Sequence, residues 1–228
     1  MIDWQGKIVS TLFLGGCNLR CCFCHNAELV TGPDKLSDVS WEKVEKHLSD
    51  KKQWLDGCVV SGGEPCVNSG LKSLLSQIKK LGYPIKLDTN GTLPRVLSQL
   101  IKEELVDYIA MDFKTRLEKY PELAQTLLDT DCIRRSAELI ADAASEGAIS
   151  AEFRTTVVPG FVDKDDVLEI AAYLGRIGAQ SYFLQQFEPK HVMENKLSAT
   201  KPYPDDYLVD LADECCRYVP TRYRSLIV

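Results

Sequence analysis

The chain has 228 residues, 45% of them apolar and 26% charged, which is the composition of a folded globular protein and excludes a disordered or collagen-like chain. With 27 basic and 33 acidic side chains the formal net charge is −6, so no bulk basic field is present to hold a nucleic-acid backbone. No apolar run approaches the roughly 18 residues of a membrane span, and the opening MIDWQGK has no basic region followed by an apolar core. The chain therefore reads as cytoplasmic, with neither nucleic acid nor membrane as a partner.

Short β-rich runs alternate with helical stretches. IVSTLFL (8–14) is β-rich. Residues 39–55 have helical spacing, with Ser40 as N-cap. GCVVS (57–61) is a second strand ending in a glycine-rich turn. Residues 69–82 form an amphipathic helix with Leu71, Leu74, Leu75 and Ile78 on one face and Gly82 at its end. PIKLDTNG (84–91) is strand then turn, and Pro94 opens a helix over 94–104. LVDYIAMDFK (105–114) is a fourth strand, residues 115–131 are ambiguous, and 133–147 are helical. AISAEFRTTVV (148–158) is a fifth strand stopped by Pro159-Gly160. Residues 163–178 form a helix with acidic residues in its first turn, and SYFLQQF (181–187) is a sixth strand. A looser tail follows, with a helix near 204–218 and a terminal apolar stretch.

About six β-then-α units of roughly 35 residues imply parallel strands with right-handed crossovers. A complete eight-unit barrel takes about 250 residues. The length therefore favours an incomplete TIM-type barrel, with a doubly wound open sheet as the competing α/β architecture. Both place functional groups at the carboxyl ends of the strands. The expected organisation is a single domain over 1–228, with a core of about 7–187 and an extension of about 188–228.

Nine cysteines, an odd number, cannot all pair with one another, and a chain without an export signal is not expected to carry a disulfide framework. After the first strand the sequence reads GGCNLRCCFCHN, spacing Cys17, Cys21 and Cys24 as Cys-x3-Cys-x2-Cys. Three thiolates on one tight loop can hold three corners of a 4Fe–4S cluster. The fourth iron is then open to a small molecule, as in an open catalytic metal site. Zinc is the plain competitor, with adjacent His25 as a fourth ligand, but a second cysteine pair at matching spacing is missing. Cys22 is out of register for the same cluster. Cys58, Cys66, Cys132, Cys215 and Cys216 form no Cys-x2-Cys pair, and most read as small buried hydrophobes.

This loop resembles the signature of radical S-adenosylmethionine (SAM) enzymes. The resemblance continues through SGGEP (61–65), DTNG (88–91), AMDFK (110–114) and FRTTVVPGF (153–161), in order along the chain. Within that superfamily it is nearest to activating enzymes of glycyl radical enzymes, and among those to the activating proteins of anaerobic ribonucleoside-triphosphate reductases.

The resemblance implies that SAM binds the open iron through its amino and carboxylate groups. Reductive cleavage would then give methionine and a 5′-deoxyadenosyl radical, which takes a hydrogen from a glycine of a partner glycyl radical enzyme. Flavodoxin or ferredoxin would supply the electron. Residue by residue, Cys17, Cys21 and Cys24 match the cluster ligands, and Phe23 matches the aromatic residue near the adenine. Gly62, Gly63 and Glu64 match the turn that meets the SAM ammonium. Asp88, Thr89 and Asn90 match the third-strand turn facing the cofactor, and Asp112 the end of strand four. Asp88, Thr89, Asp112 and the Ala110 carbonyl are the candidates for a monovalent cation beside the SAM carboxylate. Glu152, Arg154 and Thr156 share one side of strand five. Arg154 is suited to a carboxylate of SAM, of Glu64 or of Asp88, or to a structural ion pair. Val158 matches the strand-end turn that shapes the adenosine pocket. Lys114 is either a surface ion-pair partner or faces the cavity.

Where some relatives carry a histidine, Phe187 stands here, with Gln185 and Gln186 as polar candidates. His47 reads as solvated. His191, Lys190, Lys196 and Lys201 form a basic patch suited to an acidic donor or partner face, or an ordinary solvated loop. Two other readings stay open at this level. One is a small-molecule radical SAM enzyme resembling 7-carboxy-7-deazaguanine synthase. The other is a non-enzymatic iron–sulfur or zinc protein.

Overall fold

The computed structural model describes residues 3–121, 128–190 and 192–225. Residues 122–127 of the ambiguous stretch, His191 and the last three residues lie outside it. Seven strands form one parallel sheet in sequential order: β1 (Val9–Leu14), β2 (Gly57–Gly62), β3 (Ile85–Thr89), β4 (Tyr108–Asp112), β5 (Ser150–Val157), β6 (Tyr182–Gln186) and β7 (Thr221–Arg224). A doubly wound sheet reverses its strand order at a switch point. This order never reverses, so right-handed crossovers place the long crossover helices on one face and leave the other concave. The sheet is not closed, because β1 and β7 do not pair. This is an incomplete barrel.

The seventh strand exceeds the expected six units and continues the sheet past residue 187. Its sequence, TRYR, lacks an apolar run because one side faces a charged interior and the strand is an edge. Leu184 pairs with Tyr223, and Gln185 with Arg224.

A short helix, α1 (Ala27–Thr31), follows the cysteine loop and brings Val30 to the cavity, and the helices on the convex face are α2 (Trp41–Asp50), α3 (Leu71–Lys80), α4 (Pro94–Lys102), α5 (Asp131–Ser145), α6 (Lys164–Arg176) and α7 (Asp205–Cys215). On α3, Leu71, Leu75 and Ile78 recur at helical spacing and are buried. Pro94 sits in the first turn of α4, where a missing N–H costs nothing. A capping box of Asp163 and Asp166 starts α6. The main core lies between these helices and the sheet. On β2, Cys58, Val59 and Val60 are fully buried, as a strand covered on both faces requires.

Alternation along the strands decides what enters the barrel. Ile85 and Leu87 of β3, and Phe153 and Val157 of β5, join the core under the helices. Lys86, Asp88, Glu152, Arg154 and Thr156 therefore point to the concave side. A second, smaller core holds Leu19, Cys21, Cys22, Phe23, Val158, Phe187, Val192 and Leu197. It packs the cysteine loop onto the ends of β5 and β6.

Candidate functional site

The cysteine loop is pinned by its own backbone and by polar side chains from neighbouring strand ends. Cys24 N–H donates to the Cys21 carbonyl at 3.0 Å. Arg20 folds back and donates to the carbonyls of Cys17 and Leu19. Asn26 donates to the Gly62 carbonyl at 2.8 Å. Asn90 donates to Asn18, which donates to Thr92, and Asn90 also reaches the Cys17 sulfur at 3.9 Å. Gly63 lies so close beneath the loop that an added Cβ would run into the Gly16 carbonyl. Gly62 has φ +127°, a conformation that favours glycine.

The loop forms one wall of a cavity of about 320 Å³ at the carboxyl ends of the strands, where a parallel α/β sheet binds ligands. Cys17, Cys21, Cys24 and Phe23 line it together with Gly62, Gly63, Glu64, Asp88, Thr89, Asn90, Asp112 and Arg154. Every expected site residue except Val158 is thus on its surface. Val158 is fully buried in the same small core as Phe23 and shapes the cavity only through its neighbours.

Three of these residues turn their polar atoms toward the protein. Glu64 is 1% exposed. Its carboxylate accepts from Cys66 N–H at 3.0 Å, Thr89 Oγ1 at 2.8 Å and Asn90 N–H at 2.6 Å. Burial raises the Glu64 carboxyl above its ordinary value, against those three donors. It locks the β2 turn to the β3 turn. Thr89 and Asn90 are spent in the same lattice, which leaves acceptor duty toward a ligand to the turn backbone.

Asp88 and Asp112 behave differently. Arg154 Nε donates to Asp112 at 2.7 Å, and its Nη1 to Asp88 at 3.3 Å. Lys114 donates to the other oxygen of Asp112 at 2.9 Å, and Ser61 to the other oxygen of Asp88 at 3.0 Å. Burial alone would raise the Asp112 carboxyl. The Arg154 and Lys114 charges beside it overcome this and hold it well below the usual carboxylate range. Lys114 faces the cavity. Of the groups expected to hold a monovalent cation, Asp88 and Asp112 are bridged by Arg154, and Thr89 donates to Glu64.

Sequence reasoning missed Lys86, Arg224, Ser61, Asn18 and Asn26. Lys86 and Arg224 hold Glu152 just below the cavity. Ser61 was visible within SGGEP, on the side of β2 that faces Asp88. Gln185 lines the cavity, whereas Gln186 turns out to Tyr203 and Asp205. Phe187 is buried behind the cysteine loop.

The donor set suits a cubane better than a lone ion. Cys17 and Cys24 are half-buried and Cys21 is buried, all without disulfides. Desolvation pushes the Cys21 thiol up to about 12 despite Lys114 nearby, and raises Cys17 too. Binding iron would displace those protons. His25, the fourth ligand a zinc site would want, hydrogen-bonds the Glu188 carbonyl at 2.8 Å. Among the described residues no three His, Cys, Asp or Glu side chains gather as for a single metal ion. Cys22 is buried among apolar neighbours of the loop.

Residues 11–174 match the radical SAM superfamily, and the chain belongs to it. Membership implies an iron–sulfur cluster and SAM, which the three-thiol loop and its cavity fit. It also sets aside the non-enzymatic reading, since the chain is close to enzymes of the activating type. It is 32% identical over 220 residues to a putative glycyl-radical enzyme activating enzyme of Methanocaldococcus jannaschii, covering 96% of this chain and 89% of that one. It is 26% identical over 179 residues to the pyruvate formate-lyase-activating enzyme of Staphylococcus aureus, covering 73% and 68%. It is 27% identical over 191 residues to 7-carboxy-7-deazaguanine synthase of Halobacterium salinarum, covering 77% and 66%. The fold also matches the crystal structure of Streptococcus suis SuiB bound to precursor peptide SuiA, with TM-score 0.70 and 14% identity. That match covers 95% of this chain and 48% of SuiB, so the chain spans about half the length of that solved protein. Among the described residues no helix is long and apolar enough to cross a membrane.

Proposed function

We propose that this enzyme removes a hydrogen atom from a glycine of a partner glycyl radical enzyme, and that the partner is an anaerobic ribonucleoside-triphosphate reductase. The observation that carries the reading is the open side of the barrel. Ser10 of β1 reaches His47 on α2, and Leu12 and Leu14 pack toward the helices. By alternation Val9, Thr11 and Phe13 face the concave side. Phe13 is 55% exposed there, at an edge that no strand among the described residues covers. A glycine-bearing loop can reach the cavity through that gap. The M. jannaschii relative, alike over nearly the whole of both chains, supports the activating role. The GCNLRC, GGEP and KLDTNG segments support the reductase as partner.

When bound, the cluster supplies the electron that cleaves SAM, and SAM supplies the hydrogen-abstracting group. The chain's own part is to hold and orient. Cys17, Cys21 and Cys24 would ligate iron. The carbonyls of the Gly62-Gly63 turn would accept from the SAM ammonium. Lys114 would present positive charge to its carboxylate, with Arg154 holding Asp88 and Asp112 in place beside it. Phe23 would pack against the adenine, backed by Val158, while Leu19 and Val30 keep that wall dry. Lys190, Lys196 and Lys201, all exposed, give an acidic donor such as flavodoxin or ferredoxin a face to approach. The reading places the enzyme in the cytoplasm.

The test is anaerobic incubation of the cluster-loaded protein with SAM, a reductant and the candidate reductase. The expected result is a glycyl radical signal on the reductase by electron paramagnetic resonance, with 5′-deoxyadenosine formed in proportion. A reductase that stays radical-free, while 6-carboxytetrahydropterin is converted, would move the enzyme to the small-molecule class of its Halobacterium relative.

A further inference from the structure

Asp88 and Asp112 face the cavity from neighbouring strands. Two carboxylates sharing a poorly hydrated site must have their charge compensated. Family resemblance suggests a monovalent cation for that task. We infer that this enzyme needs none, because the Arg154 guanidinium does the cation's work from within the chain. The inference concerns SAM binding and does not depend on which partner is acted on.

The guanidinium bridges the two carboxylates, with Nε 2.7 Å from Asp112 and Nη1 3.3 Å from Asp88. Two lysines add to it. Lys114 is 2.9 Å from Asp112, and Lys86 is 3.7 Å from Asp88. Each carboxylate thus already meets two cationic side chains. Glu152, the third carboxylate of the ion-paired set, meets Lys86, Arg154 and Arg224. Four cations therefore meet the three carboxylates of this ion-paired set, and two further carboxylates, Asp3 and Glu64, also border the cavity. A cation would need several oxygens converging on it, and the inner oxygens of both aspartates are occupied by one planar group. Arg154 is 8% exposed, and its Asp112 partner holds it in place. Arginine suits this role better than lysine because its fork engages two carboxylates at once.

Arg154 is therefore a positioning residue for the two aspartates, and cation dependence is the property that reports it. The cluster-loaded protein is titrated with SAM, following the shift of the reduced-cluster resonance. The buffers contain potassium, sodium or choline as sole cation at constant ionic strength. Wild-type affinity should change by less than about twofold among them. Arg154→Ala should bind SAM about tenfold or more weakly in choline, and potassium or sodium should restore most of that loss. Sodium-23 relaxation of the same proteins without SAM gives an independent reading. Wild type should show no immobilised sodium, and Arg154→Ala should show it. The inference is overturned by a tenfold cation effect on wild type, or by immobilised sodium in wild type. It is equally overturned by an Arg154→Ala variant that folds, as judged by circular dichroism, yet stays weak in every cation. If that variant does not fold, the two wild-type measurements decide. A wild type that binds no SAM in any buffer would undo the cofactor reading, and the sodium measurement would still judge Arg154.

Discussion

The barrel interior holds two carboxylate–arginine assemblies two residues apart along β5, and they differ in how fully the carboxylate is used. At the lower level Glu152 is saturated. Lys86 donates at 3.1 Å, Tyr108 at 3.1 Å, and Arg224 donates a fork at 3.2 and 2.9 Å. Its side chain is 3% exposed. At the upper level Asp88 and Asp112 share Arg154, with 17% and 23% of their side chains exposed to the cavity. Carboxylate, arginine and lysine occur at both levels. Residual access separates the one that ties strands together from the one that can meet a ligand.

Mutations can break this comparison in stages. The largest effect should come from the cavity wall itself. Replacing Cys17, Cys21 or Cys24 by alanine should abolish cluster assembly and 5′-deoxyadenosine formation, as read by iron content and product analysis. Cys22→Ala should largely spare both.

Next comes Glu152→Ala, which takes the carboxylate from Arg224 and leaves Lys86 only the more distant Asp88. Unpairing a buried charge costs about 3–5 kcal/mol, so the denaturant midpoint should fall steeply. Asp112→Ala should lower the midpoint less and SAM affinity more, since Arg154 keeps Asp88 and borders the cavity. Equal effects from the two variants would erase the distinction between the levels.

The third prediction concerns acid. Burial would raise Glu152, but Arg224, Lys86 and Arg154 hold it near about 2, below its ordinary 4.5. A carboxyl depressed in the folded state stabilises above its unfolded value and loses that contribution as pH falls through the folded value. Stability should therefore drop between pH 4.5 and about 2, by on the order of 3 kcal/mol. Asp112 adds to the same loss at lower pH. Glu152→Gln should flatten the upper part of this decline in acid titrations followed by circular dichroism.

Much of the upper level is legible in the sequence. The cysteine spacing and the motifs at successive strand ends follow the rule that ligand groups gather at the carboxyl ends of parallel strands. The side shared by Glu152, Arg154 and Thr156 follows from alternation alone. What alternation does not give is the partner. Glu64, Thr89 and Asn90 read as cofactor-facing because of where they fall in the chain, yet their atoms are spent on one another and on the cysteine loop. The lower level is hidden for a related reason. Lys86 sits inside an ordinary strand, and Arg224 lies in a charged tail whose strand character depends on a sheet already formed beside it. The helix read over 39–55 ends at Asp50, where its polar composition no longer supports packing.

The fork that Arg224 places on Glu152 also bears on the order of synthesis. Chains leave the ribosome amino end first, and Arg224 trails Glu152 by 72 residues. At elongation rates of about 5–20 residues per second, the carboxylate waits several seconds for its strongest partner. Nascent chains stalled short of β7 should stay open to proteases, and resistance should arrive only after that strand clears the exit tunnel.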